Sequence, residues 1–319
     1  MLPNGRHQSV SFFGAAETTR ASQINIGLAD SNEININSDY FYEKKHSFIH
    51  YTSVQTLLSI LKEKKIRLYN LNGMDDKEEF ELSLKYSNKK LPIYNVSEIK
   101  KRVFCLSMCK EELEINEESL SQWRSYAQDG YGVGIVFNFE KRYAKDWVHI
   151  MLSNVYYNQN RLDKFIEVER LYNQFKIAYN LAVTNFDEMF YRYYAFHKSQ
   201  IYKSEKEVRL IYCQGFSYND KPPIKYDINK ALKETSYIEL DLEWEWDEKT
   251  KSFILSQGIV PSNIRPIISI EKIFLGYRLS NKAKYDIKNV AQCHLKNFKR
   301  QPEFFDSTLF KHFKTDEFS

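Results

Sequence analysis

The segment KSEKEVRLIY, residues 203–212, places two carboxylates and a guanidinium two residues apart, at Glu205, Glu207 and Arg209. Side chains of a β-strand alternate with period two, so all three would leave one face while Val208 and Leu210 leave the other. Two close carboxylates suit sugar-transfer chemistry, in which positive charge develops on an anomeric carbon and an incoming nucleophile must be activated. An exposed, salt-bridged sheet edge would use the same residues without any chemistry. The spacing alone does not decide between the two.

Two more blocks carry chemistry-bearing side chains. FIHYTSVQTLLSIL, residues 48–61, reads as a short strand running into a helix, with His50 on the strand and Thr52 or Ser53 placed to cap the helix. A histidine there can be a ligand-binding group or a satisfied structural one. VFCLS, residues 103–107, is strand-like, SQWRSYA, residues 121–127, is helical, and VGIVFNF is strongly β. Ser107, Trp123 and Tyr126 then lie on elements that flank one another, although rings at i and i+3 also serve core packing.

The elements that must position these groups follow from periodicity. Val54, Leu57, Leu58 and Leu61 fall at helical spacing, and the basic stretch after them suits a helix C-terminus. YIELDLE alternates Ile238, Leu240 and Leu242, PIISIEKIFLG reads as a late strand pair or one bent strand, and a final helix aligns Ile287, Val290, Ala291, His294, Leu295 and Phe298. Residues 161–200 carry helical periodicity with many aromatics. Short strands interrupted by helices, without regular βα alternation, predict an α+β fold. Residues 1–40 read as an N-terminal arm, 41–300 as one domain with a helical insertion at about 161–200, and 301–319 as a C-terminal tail. The glycine cluster GYGVG, residues 130–134, precedes a strand instead of opening a helix, which argues against a dinucleotide-binding turn.

Composition narrows the function classes. With 319 residues, 43% hydrophobic and 15% aromatic, the chain has ample material for a packed core, so disorder is not expected. No run approaches the roughly 18 apolar residues of a membrane helix, and the first twenty residues lack a signal-peptide core, so a cytoplasmic protein without membrane attachment is expected. A net charge of +4 predicts no partner by itself, and Lys282, Lys284, Lys288, Lys296, Lys299 and Arg300 suit a solvated helix face as well as a nucleic-acid contact. Cys105 and Cys109 lack a second pair at zinc-ligand spacing, so no metal is expected.

Five blocks in order, FIHYTSVQTLLSIL, LNGMDDKEEF, VFCLSMC with SQWRSYAQDGYGVGIVF, KSQIYKSEKEVRLIY and IEKIFLGYRLS, resemble a bacterial domain of unknown function, family 2971, over roughly residues 48–295. Tyr202 stands where that family more often has Trp, and Met74-Asp75-Asp76 where it more often has Asn-Asp-Pro. The layout also resembles the ADP-ribosyltransferase fold. That resemblance implies a split β-sheet core and NAD as substrate, with His50, Tyr51 and Thr52 on the ribose and amide side and Ser107 or Tyr126 in the middle block. It implies Glu207 as the group that drives transfer, Glu205 orienting the acceptor, and Arg209 fixing Glu207 by a bidentate pair or contacting the pyrophosphate. An ADP-ribosyltransferase modifying a protein or nucleic acid is implied, as a toxin or antiphage effector with an antitoxin or defence-system partner. An NAD glycohydrolase using the same site and a non-catalytic binding module are the alternatives.

Overall fold

The computed structural model describes residues 10–14, 22–26, 47–73, 80, 93–110, 120–140, 150–157, 170, 174, 177, 193–214, 222–228, 234–242, 245–247, 252–254, 266–296, 298 and 300–309. Strands β1 (Val10–Gly14) and β2 (Ser22–Ile26) form an antiparallel pair within the expected N-terminal arm. β3 (Ser47–Thr52) then feeds helix α1 (Val54–Glu63). Ser53 is the cap, its hydroxyl accepting from the Thr56 N–H, and Lys64 ends the helix in the left-handed conformation at φ 52°. That turn delivers the chain into β4 (Lys65–Asn70), where burial alternates residue by residue.

Helix α2 (Ile93–Lys100) precedes β5 (Val103–Lys110), helix α3 (Leu120–Tyr126), β6 (Val133–Glu140) and β7 (Ile150–Asn154). β8 (Glu207–Cys213), β9 (Lys225–Ile228) and β10 (Glu234–Asp241) follow, with a small pair β11 (Glu245–Asp247) and β12 (Ser252–Ile254). β13 (Ile267–Leu275), helix α4 (Asn281–Leu295) and β14 (Glu303–Asp306) complete the described elements. The late apolar run is thus one strand, with a bulge between Ile270 and Lys272. Strands β7 and β14 carry no sequence signal strong enough to be anticipated. Most of the helical segment expected at 161–200 lies outside the described residues.

One large sheet runs β14-β13-β6-β3-β5-β4-β10-β9, with β8 on β5 and β7 on β8. All of its pairs are antiparallel except β13 with β14. Mixed α and β structure with a large sheet and few helices is what the pattern of short strands predicts. β5 is where the sheet forks. One edge pairs with β8 from Val103 to Cys109, while the other meets β4 at Phe104 and Cys105 and β3 at Cys109 and Lys110. Between those two contacts the β5 backbone needs partners from outside the ladder.

The two faces of the sheet bury different sets of residues. Leu57, Ile60 and Leu61 of α1 and Ile287, Ala291 and Leu295 of α4 pack over Phe48, Phe137, Met108, Val208 and Leu210. Each of the Leu, Ile, Phe, Met and Val side chains contributes about 1.5–3 kcal/mol by burial. Val290, expected on the α4 stripe, is 45% exposed, and Lys284 is buried instead, with Nζ 3.5 Å from Asp306. The opposite face carries a smaller cluster of Ile49, Tyr51, Trp123, Ala127, Val136 and Tyr277.

The glycine cluster has a backbone reason. The Gly132 N–H donates to the Ala127 carbonyl while its own carbonyl accepts from Gly276, and a Cβ at Gly132 would lie 2.2 Å from the Thr52 carbonyl oxygen. Gly132→Ala should therefore destabilise the fold by about 1–3 kcal/mol, read as a lower denaturation midpoint at unchanged m-value.

Candidate functional site

β8 is buried at every position because it lies between β5 and β7. The alternative of an exposed, salt-bridged edge is thereby excluded: the charges of this strand sit inside the sheet. Antiparallel register sets Glu207 opposite Cys109 and Arg209 opposite Ser107 on one side and Ser153 on the other. Glu205 is not on the strand. It ends a 3-10 turn, Gln200–Glu205, and Lys206 between the two acids is left-handed at φ 47°. This turn, not strand alternation, brings Glu205 beside Glu207.

Arg209 is 1% exposed and binds Glu207 with both ends of its fork, Nε to Oε1 at 2.7 Å and Nη2 to Oε2 at 3.0 Å. Its remaining terminal nitrogen donates to the Ala195 carbonyl at 2.6 Å. Lys198, also buried, places Nζ 2.7 Å from Glu205 Oε2 and 3.6 Å from Glu207 Oε2. The same ammonium lies 4.4 Å above the Tyr202 ring centre. The Tyr126 hydroxyl donates to Glu205 Oε1 at 2.9 Å, and Tyr157 Oη accepts from the Glu207 backbone N–H at 3.1 Å.

Two carboxyl groups, a guanidinium and an ammonium thus lie within ion-pair reach of one another. Burial by itself would push the Glu207 carboxyl up, but the Arg209 guanidinium, its hydrogen bonds, Lys198 and the Ser107 hydroxyl outweigh it, and the pKa lies below the ordinary value. Glu207 is therefore an anion at neutral pH. Burial and the neighbouring carboxylates push the Cys109 thiol and the Tyr126 and Tyr157 phenols up, so all three stay protonated. Buried ion pairs are seldom a net gain over apolar packing, so a cluster of this kind is a candidate for function on physical grounds.

Of the residues singled out from sequence, Ser107, Tyr126, Glu205, Glu207 and Arg209 come together. His50 and Thr52 do not join them. His50 pairs with Ile135 and lies near Phe137, on the face of the main core, opposite the face that carries Glu207. Its Nδ1 stands 2.8 Å from the Ser107 carbonyl, which can only accept, so Nδ1 carries the proton. The histidine thus serves a β5 carbonyl inside the fork. Tyr51 is on the carboxylate face but packs edge-on against Trp123, centroids 5.1 Å apart, and Trp123 is fully buried, as the packing alternative has it.

Lys198, Tyr157 and the Ala195 carbonyl were not legible. Lys198 precedes Glu205 by seven residues in an aromatic-rich stretch, and only the hydrophobic company of a lone charge, YYAFHKSQIY, marks it. Burial of Lys284 removes one residue from the basic helix face, and Lys299 lies outside the described residues. Among the described residues no group of three His, Cys, Asp or Glu could hold a metal ion, and no helix is long and apolar enough to cross a membrane.

Arg209→Met would leave the Glu207 charge buried beside Lys198 alone, and should cost about 3–5 kcal/mol in denaturant titrations. Burial lowers the His50 pKa below 6.5, against the opposing pull of the Ser107 carbonyl. The unfolded chain then takes up this proton first, so the stability His50 confers is full above pH 6.5 and is lost as pH falls toward the folded-state value. Thermal melts of His50→Gln, which can still donate to the carbonyl, should fall less than wild type on acidification through that range.

No curated protein and no solved structure matches the chain. Residues 122–210 match the family described as "Protein of unknown function (DUF2971)", a stretch that runs from the helix bearing Tyr126 to the strand bearing Glu207 and Arg209. Over that stretch the chain is similar to the domain-of-unknown-function family 2971, the family that the sequence blocks resemble.

Proposed function

We propose that the chain is an NAD-consuming enzyme of the ADP-ribosyltransferase type, acting at the carboxylate cluster on β8 and the turn before it. One observation carries this reading: Glu205 and Glu207 are held side by side by a single ammonium, with a tyrosine hydroxyl at their rim. The forked sheet adds support, because a split core is what the fold resemblance implies.

In the transfer step the bond between the ribosyl carbon and nicotinamide nitrogen breaks, and the nicotinamide leaves with the electron pair as a neutral ring. Positive charge builds on the ribosyl carbon. A carboxylate already ionised and fixed stabilises that charge as it develops, without reorganising. The acceptor attacks the same carbon and gives up its proton to a carboxylate. Tyr126, protonated and 47% exposed, supplies a ring face for nicotinamide as well as a hydroxyl for Glu205. Glu207, anchored by Arg209, sets the local negative charge.

His50 and Thr52 belong to the other face, so the chemistry is assigned to the carboxylate face alone, and His50 keeps its backbone partner. The acceptor is taken to be a macromolecule in the cytoplasm, and a role as toxin or antiphage effector rests on the family resemblance.

Radiolabelled NAD incubated with the folded chain and cell extract should transfer label to a macromolecule. Folded Glu207→Gln and Glu205→Gln should each lose on the order of 100-fold of the rate. Free ADP-ribose with no labelled target would make the enzyme a glycohydrolase with water as acceptor. A folded wild-type chain that neither binds nor consumes NAD would overturn the proposal.

A further inference from the structure

Glu205 and Glu207 are not equivalent within the cluster. Glu207 takes two hydrogen bonds from Arg209 and one from Ser107, faces Lys198 at 3.6 Å, and its side chain is 6% exposed. A carboxylate offers about four acceptor sites, so Glu207 has little left for a ligand. Glu205 accepts one bond on each oxygen, from Tyr126 and from Lys198, and its side chain is 16% exposed. It keeps open lone pairs at the more accessible end of the cluster.

Lys198 joins the two. Its side chain is 6% exposed, its ammonium reaches Oε2 of both acids, and the Tyr202 ring closes over it. The two Oε2 atoms therefore lie within roughly 6 Å of each other, bridged by one ammonium. Arg209 cannot take over this role, since its fork is committed to Glu207 and the Ala195 carbonyl.

We propose that Lys198 is a positioning residue that fixes Glu205 as the carboxylate meeting the substrate, with Glu207 and Arg209 as the buried anchor behind it. The assignment rests on the glycosyl-transfer function above and deepens it, because the fold resemblance gives the transfer step to Glu207. Holding Glu205 by Oε2 leaves its outward side to a ribosyl hydroxyl or to the acceptor's proton.

Among the described residues, the charged and titratable groups around Glu207 are Arg209 on its own strand, Cys109 on β5, Lys198 and Glu205 before β8, Tyr157 after β7 and Tyr126 on α3. Among these, Lys198 and Arg209 hold the carboxyl low, so without Lys198 the proton returns at higher pH.

Rates of NAD consumption from acid to neutral pH test this on Lys198→Met, Lys198→Arg and Glu205→Gln. Lys198→Met should lose on the order of 100-fold in kcat with KM for NAD little changed. Its acid limb should move to higher pH, because Lys198 no longer helps to hold the Glu207 carboxyl low. Lys198→Arg, which keeps the charge, should return the limb to its wild-type place and recover part of kcat. A folded Lys198→Met with wild-type kcat, or with lost kcat and an unmoved acid limb, would overturn the role of Lys198. Should Lys198→Met fail to fold, Lys198→Arg decides alone: an acid limb displaced from wild type despite the retained charge counts against positioning by charge. Glu205→Gln and Glu207→Gln that both keep wild-type rates would instead sink the glycosyl-transfer function itself.

Discussion

A carboxylate can sit inside this sheet only because a guanidinium sits beside it. Glu207 and Arg209 occupy successive positions on one face of β8, flanked by Ser107 and Ser153 from the neighbouring strands. The bidentate pair satisfies both oxygens, and the third nitrogen of Arg209 is spent on a backbone carbonyl of the preceding segment. Everything else in the cluster is arranged against this anchor. Lys198 is drawn in by the residual negative charge, Glu205 follows Lys198, and Tyr126 follows Glu205. Removing Arg209 alone would leave the Glu207 carboxylate buried without the partner that satisfies both of its oxygens.

The fork at β5 is the second constraint. A single edge cannot be fully paired by two diverging strands, so carbonyls between the two contacts need partners from elsewhere. His50 meets that need at Ser107, from the main-core face, while the Ser107 side chain serves Glu207 on the opposite face. One residue thus ties the fork to the ion cluster. A separate steric constraint fixes Gly132, where the chain enters β6 beside the end of β3 with no room for a Cβ.

Much of the fold was legible because it follows from local periodicity. The helices around Leu57 and Ile287 and the strands VFCLS, VGIVFNF and EVRLIYC all carry unambiguous patterns, while the first helix's cap was legible only as Thr52 or Ser53. What escaped depends on long-range placement. Alternation puts Glu205 on the strand with Glu207, whereas a left-handed Lys206 breaks the strand and still brings the acids together. Face parity across strands, which separates His50 from the carboxylates, needs the register of β3 against β5, and no single segment encodes that. Lys198 was marked only by its hydrophobic neighbours in the chain, because its role comes from partners across a turn. Val290 and Lys284 show the same limit on α4, where the buried face includes a lysine because Asp306 of β14 reaches it.

On the proposed function, NAD meets the carboxylate cluster at the rim formed by Glu205 and Tyr126. Side-chain NMR of the folded chain during NAD titration tests this most directly, with isotope labels on tyrosine rings and lysine ammonium groups. Saturable shifts of the Tyr126 ring and the Lys198 ammonium, with the buried Trp123 indole little changed, are predicted. Saturating NAD that leaves both signals in place would contradict the account.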